Sequence, residues 1–277
     1  MIGLLRRWRE RFTATTDRID AAQWQAAEAR LPFLAHLSPA QRQRLRDLAR
    51  RFIAEKQWHG AQGLDITLAM QLSIALQACL LVLELGLERY NGWLGIIVYP
   101  GDFVIPRQIV DENGVMHEYD DVVLGEAWEG GPVLLSWFEE DGHPDGINIV
   151  IHEFAHKLDM ADGCADGLPP LPASLSRREW QRVLTAAYED FCRRVDEADF
   201  RGADAAAATL DHFALDPYAS ESPAEFFAVM SEAFFETPLA LHGEYPDVYR
   251  LLAAFYGQDP RAAAAGQASE RQPSPAT

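Results

Sequence analysis

The chain has little cysteine and little positive charge, and each shortage narrows what it can be. Its three cysteines, Cys79, Cys164 and Cys192, are odd in number and far apart, and no C-x-x-C pair occurs. That argues against a disulfide framework or a thiolate zinc site and agrees with a reducing compartment. Lysine and arginine total 24 against 42 acidic residues, a formal net charge of −18. This balance disfavours direct nucleic-acid binding, because a phosphate backbone rewards basic surfaces. It suits solubility, or a partner with a basic face. A secretory leader is also lacking: the charges of Arg6–Arg11 follow a very short apolar stretch instead of preceding it. These arginines read as a solvated helix face, and the expected location is cytoplasmic. One uncharged run, Ile66 to Leu83, is long enough to raise a membrane span, but Thr67, Gln71, Ser73 and Gln77 interrupt it. It reads as a buried helix of a soluble domain, extending to about Glu88. No internal repeat is evident.

What is present suits a single domain with appendages: 277 residues, 48% of them hydrophobic. Residues 1–60 read as an Arg-rich helical region packed on the core, with Ser38-Pro39 opening a helix that turns Leu45, Leu48, Phe52 and Ile53 inward. Residues 61–260 form the main domain, and the Ala/Gly/Ser/Pro-rich residues 261–277 a disordered tail. Gly92–Pro106 has extended character broken at Pro100-Gly101, and Val122–Gly125 and Pro132–Phe138 read as further strands. Another helix comes next, and helices at about 176–197, 223–236 and 246–256 complete the domain. The expected class is α+β, mostly helical, with a small sheet packed on the helix that carries the motif described next.

His152-Glu153-Phe154-Ala155-His156 is an H-E-x-x-H sequence. On an α-helix of about 3.6 residues per turn, residues four apart project from one face. Zn²⁺ accepts imidazole nitrogen at about 2 Å, which adjacent helical turns satisfy without strain. Glu153 then lies beside the metal, placed to take a proton from an attacking water. Asn148 is a candidate N-cap for this helix. The bland alternative is a surface helix that happens to carry His and Glu. Against it, the trio sits in one of the most apolar stretches of the chain, where unpaired polar groups are costly.

A catalytic zinc needs a third protein ligand. Asp162 would supply it in the longer H-E-x-x-H-x-x-G-x-x-H/D pattern, but the glycine position of that pattern is Asp159 here. Glu225 is favoured instead. It follows Ser222-Pro223, which reads as a helix start, and its ordinary use would be to close a capping box with Ser222. Glu232 lies on the same face of that helix, among Phe226, Phe227, Val229, Met230, Phe234 and Phe235. Two carboxylates on so apolar a helix want partners, and Glu232 is a candidate acceptor for a ligand histidine's second N–H.

Val150–Gly163, Leu215–Tyr218 and Pro223–Glu232 together resemble the Mlc titration factor A family of zinc metallopeptidases, and the likeness runs from about residue 20 to residue 257. The family's metal site is similar to that of the anthrax lethal factor catalytic domain, and both place a tyrosine seven residues ahead of the glutamate ligand. The resemblance implies a zincin-like (gluzincin-like) catalytic domain with one Zn²⁺ per chain, bound by His152, His156 and Glu225. It implies Glu153 as general base and Tyr218 as an aid to the transition state. It also implies a cytoplasmic peptidase of aminopeptidase type that binds the repressor Mlc. Tyr218 makes chemical sense independently, since a phenol near the metal can donate to the oxyanion formed by water attack. Its alternative is a packed aromatic. Two other functions stay open: a regulator-binding protein with a structural zinc, and a zinc amidase acting on a non-peptide substrate.

Overall fold

Capping residues and apolar spacing account for the first helices. The computed structural model describes residues 19–110, 116–138, 148–200 and 213–262. Helix α1 (Ala21–Ala29) starts at Asp20, whose side chain accepts the Gln23 N–H at 2.8 Å. Helix α2 (Pro39–Glu55) is capped by Ser38, with Pro39 in the first position, where a missing N–H costs no bond. Leu45, Leu48, Ala49, Phe52 and Ile53 recur along it at helical spacing and are all buried. The uncharged run becomes helix α3 (Leu68–Leu81), buried over most of its surface. It stops at Leu81 and does not reach Glu88, because Gly86 takes φ +93° and leads into a short 3-10 turn, Leu87–Tyr90. No helix among the described residues is long and apolar enough to cross a membrane.

The described residues hold six strands: β1 (Gln57–Gly60), which precedes α3, then β2 (Gly95–Tyr99), β3 (Phe103–Val110), β4 (Met116–Val123), β5 (Gly125–Ala127) and β6 (Val133–Ser136). The main sheet has the order β1-β2-β6-β5. Its first three strands are parallel, with Ile96 between Trp58 and Val133, while β5 runs antiparallel to β6 and ends the sheet. Strands β3 and β4 form a separate antiparallel hairpin with Val104 opposite Val122. Two expectations are corrected here. Strand β1 lies inside the region read as helical; it is short and half-exposed, so it carries no alternating pattern. It is a strand because the β2 edge is beside it, where Gln57 N donates to Leu94 O at 2.8 Å. The stretch Val122–Gly125 is not one strand but the junction between hairpin and sheet.

Helices α4 (Ile149–Asp159), α5 (Arg177–Asp199), α6 (Pro223–Glu236), α7 (Pro238–Glu244) and α8 (Pro246–Tyr256) complete the described fold. It is α+β and mostly helical. Helix α4 packs against α6, β5 and β6. Its Phe154 is fully buried in an aromatic cluster, with ring centroids 5.3 Å from Tyr90, 5.6 Å from Phe52 and 5.9 Å from Trp93. Two residues are about 200° of helix, so anchoring Phe154 in the core turns His152 to the opposite side. Trp24 and Phe52 share one hydrophobic cluster with Phe154 and Phe227, so the described part of residues 1–60 has the same core as the rest.

The chain's two lysines, Lys56 and Lys157, are both buried against Trp93, their ammonium nitrogens 3.5 and 4.7 Å from its ring centre. Lys157 Nζ also donates to Trp128 O at 2.7 Å and Gly131 O at 3.2 Å, which ties α4 to the β5–β6 turn. Burial lowers both amines to about 8. The stretch Arg6–Arg11 and residues 263–277 of the tail lie outside the described residues.

Candidate metal centre

Helix α4 begins where three helices meet. The Asn148 side chain accepts the Ile151 N–H at 3.0 Å and caps the helix, while its amide nitrogen donates to Gln77 of α3 and Glu236 of α6, each at 2.7 Å. One carboxylate of α6 serves two tasks. Glu232 Oε2 accepts the Asn148 backbone N–H, and Glu232 Oε1 accepts from His152 Nδ1 at 2.8 Å. An anion at the helix N-terminus is favourable in itself. Here it also fixes the His152 ring, leaving the Nε2 lone pair to point away from Glu232.

Glu225 arrives from the first turn of α6. The Ser222 hydroxyl accepts the Glu225 N–H at 3.2 Å, but the reciprocal bond of a capping box does not form. The carboxylate turns to the histidines instead. His152 Nε2, His156 Nε2 and Glu225 Oε2 form a triangle with edges of 3.0, 3.1 and 3.2 Å. Nitrogen and oxygen ligands about 2.0–2.2 Å from a tetrahedral metal ion lie about 3.3–3.6 Å apart. The observed edges are within a few tenths of an ångström of that, so these residues fit a metal ion. They are the three residues among those described whose ligand atoms cluster in this way.

Electrostatics lead to the same conclusion. Burial works against a charged His152, yet hydrogen bonds to Glu225 and Glu232 outweigh it and raise its pKa. Burial likewise opposes ionisation of Glu225, and the two histidines outweigh it and hold the carboxyl down. The carboxylates therefore favour positive charge at this place, as a proton on His152 or as a metal ion in its stead. Glu153 is different. It is 3% exposed, its Oε2 has no hydrogen-bond partner among the described residues, and burial raises its pKa to about 8, with Glu225, Glu126 and Glu232 adding to the rise against His152. A cavity of about 590 Å³ opens over the cluster, lined by Val122, Gly125, Glu153, Tyr218 and Glu225 among others.

The sequence matches the family described as glucose-regulated metallo-peptidase M90 over residues 5–257. The chain belongs to that family. It is similar to proteins named Mlc titration factor A: 40% identical over 243 residues to that of Klebsiella pneumoniae (86% of each chain), and 41% over 244 residues to that of Serratia proteamaculans (87% of this chain, 88% of the relative). The Cronobacter sakazakii protein of that name is 38% identical over 255 residues, 91% of each chain.

In this M90 metallopeptidase the other candidate residues separate clearly. Tyr218 sits on a 3-10 turn, Pro217–Ser220, held by Asp216, which accepts the Tyr218 N–H at 2.8 Å. Its ring is 6.1 Å from that of His152 and 52% exposed, so it borders the cavity and is not packed in the core. Burial, then the charges of Glu225 and Glu153, push its hydroxyl to about 12 and keep it a donor. Asp162 lies on an exposed 3-10 turn beyond α4, outside the triangle. Three contributions had no readable sequence signal: Gln77, Glu236 and Gly125. A Cβ on Gly125 would sit 2.5 Å from Glu153 Oε1, so this strand backbone rests directly on the Glu153 carboxylate.

Proposed function

We propose that this metallopeptidase is a zinc enzyme of aminopeptidase type, cytoplasmic, with a repressor of the Mlc kind among its partners. The observation that carries the enzymatic reading is a buried Glu153 carboxylate, its Oε2 without a partner among the described residues, beside a three-ligand triangle under an open cavity. Two imidazoles and one carboxylate leave a tetrahedral ion one open position, the arrangement of catalytic rather than structural zinc. Zinc bound there supplies a Lewis acid that polarises the scissile carbonyl and acidifies water. His152, His156 and Glu225 would hold it. Glu153 accepts the proton of the attacking water and passes it to the leaving amine. Tyr218 donates its phenol hydrogen bond to the carbonyl oxygen as that oxygen gains charge. Strand β5 ends the sheet, and Leu124 and Gly125 line the cavity, so an extended peptide can lie along this edge. The aminopeptidase type, the Mlc partner and the location rest on the family resemblance and the relatives' name.

A panel of aminoacyl, N-blocked peptide and non-peptide amide substrates tests this reading, with zinc measured on the same sample. Expected is cleavage of free-amino peptides, lost on chelation and restored by zinc. Full zinc with no turnover of any substrate would favour a regulator-binding protein, and turnover of non-peptide amides alone an amidase.

Two substitutions probe the cavity walls. Tyr218→Phe keeps the ring and removes the hydroxyl, so kcat should fall about 10- to 10³-fold with KM much less changed and zinc retained. Wild-type kcat in the zinc-loaded variant would leave the oxyanion to the metal alone. Gly125→Ala drives a methyl into the Glu153 carboxylate. A misplaced base of this kind should lower kcat about tenfold or more, with zinc content unchanged. Full turnover would mean that the carboxylate can shift without harm.

A further inference from the structure

The two histidines of the triangle are held differently. His152 Nδ1 donates to Glu232, whereas His156 Nδ1 is buried and has no hydrogen-bond partner among the described residues. One turn further along α4, at i+3, lies Asp159, with 0% of its surface exposed. Its two oxygens are unequal. Oδ2 accepts the Gly167 N–H at 2.8 Å, and Oδ1, also buried, has no partner among the described residues. A buried ring nitrogen and a buried acceptor, each unmatched among the described residues and not bonded to each other here, thus stand on adjacent turns of one helix, where leaving either alone is costly.

The Gly167 bond has a consequence of its own. Gly167 takes φ +76°, its carbonyl accepts from Trp180 Nε1 at 3.1 Å, and a Cβ there would be 2.5 Å from Pro223 O. Pro223 is the first residue of α6, two before Glu225. Asp159 therefore fastens a loop that lies against the start of the helix supplying the third ligand.

We infer that Asp159 is a positioning residue of the metal centre, orienting His156 through the imidazole Nδ1–H and Glu225 through Gly167. The inference rests on the metal reading of the triangle. When His156 Nε2 is a ligand, its neutral ring carries the proton on Nδ1, and a neighbouring carboxylate that turns to accept that proton fixes the ring and strengthens the ligand. Burial pushes the Asp159 carboxyl up to about 6 and the Asp166 charge adds to the rise, with the Gly167 N–H, the His156 charge and the Leu168 N–H working the other way. Neighbouring positions divide the work: Lys157 ties α4 to the β5–β6 turn, and Asp159 ties it to the loop under α6.

Asp159→Asn tests the assignment. The amide oxygen can keep the Gly167 bond, but the amide NH₂ then meets the imidazole N–H, donor against donor. Zinc affinity, read by competition with a chelator of known strength, should fall about 10- to 100-fold. The melting temperature of the metal-free protein should change little, because the loop contact survives. Wild-type zinc affinity in a folded Asp159→Asn protein would overturn the inference. A second measurement needs no variant: in the zinc-loaded wild type, the His156 Nδ1 proton should appear in NMR spectra as a slowly exchanging, downfield resonance like that of His152. Exchange as fast as in a surface imidazole would likewise overturn it. If the unaltered chain binds no zinc, the metal reading itself fails, a result distinct from either of these.

Discussion

Glu153→Gln is expected to leave zinc in place and to lower peptide turnover by about 10²- to 10⁴-fold, the range for loss of a general base. Gln has the same shape and number of heavy atoms, so the packing of α4 against β5 should persist. What it lacks is the ability to take a proton. Glu153 lies outside the ligand triangle, and its Oε2 has no other bond to maintain, so no structural contact of that oxygen is lost. The burial that makes this carboxylate poorly solvated also makes it a stronger proton acceptor than one in water. Zinc content and kcat/KM should be measured on one preparation, since only a metal-loaded variant isolates the base. Near-normal cleavage by zinc-loaded Glu153→Gln would exclude Glu153 as the base and leave the acidic cavity without its proposed role.

The histidine pair was legible because its chemistry is local. A five-residue motif on one helical face needs no knowledge of the rest of the chain, and the apolar residues around it already indicated burial. Glu225 and Glu232 were legible for a less direct reason: Ser222-Pro223 marks a helix start, and two carboxylates on one face of a Phe-rich helix demand partners. Both indeed reach the His152 ring, one at each nitrogen. Gln77 and Glu236 could not be read in the same way. Each is an ordinary polar residue until tertiary packing brings it to Asn148. The same holds for Gly125, whose close approach to Glu153 exists only because β5 crosses α4. Among the elements, α2 and α6 announce themselves by cap and periodicity. Strand β1 and the seven-residue α7, which buries only Pro238 and Leu241, are too short to show a period. The sequence points to a helix longer than α3 because apolar character continues through Leu83, while the backbone turns before Gly86.

Glu225→Ala should remove the metal altogether under ordinary purification, and Asp162→Ala should not. The two variants oppose the distal ligand to the sequence-adjacent one. Structural zinc sites bind with roughly 10–16 kcal/mol of apparent free energy. If three protein ligands share that about equally, losing one weakens affinity by roughly 10²- to 10⁴-fold at least. Ala at 225 leaves two imidazoles whose Nε2 atoms are 3.1 Å apart with no anion between them, a poor site for a divalent ion. The helix should survive, because the Ser222 cap takes the backbone N–H of residue 225 and not its side chain. Asp162 lies on an exposed turn, so truncating it should change neither zinc content nor turnover. Elemental analysis after dialysis against a mild chelator decides the matter. Zinc retained by Glu225→Ala and lost by Asp162→Ala would require the loop after α4 to fold back on the histidines, and would move the third ligand from α6 to that loop.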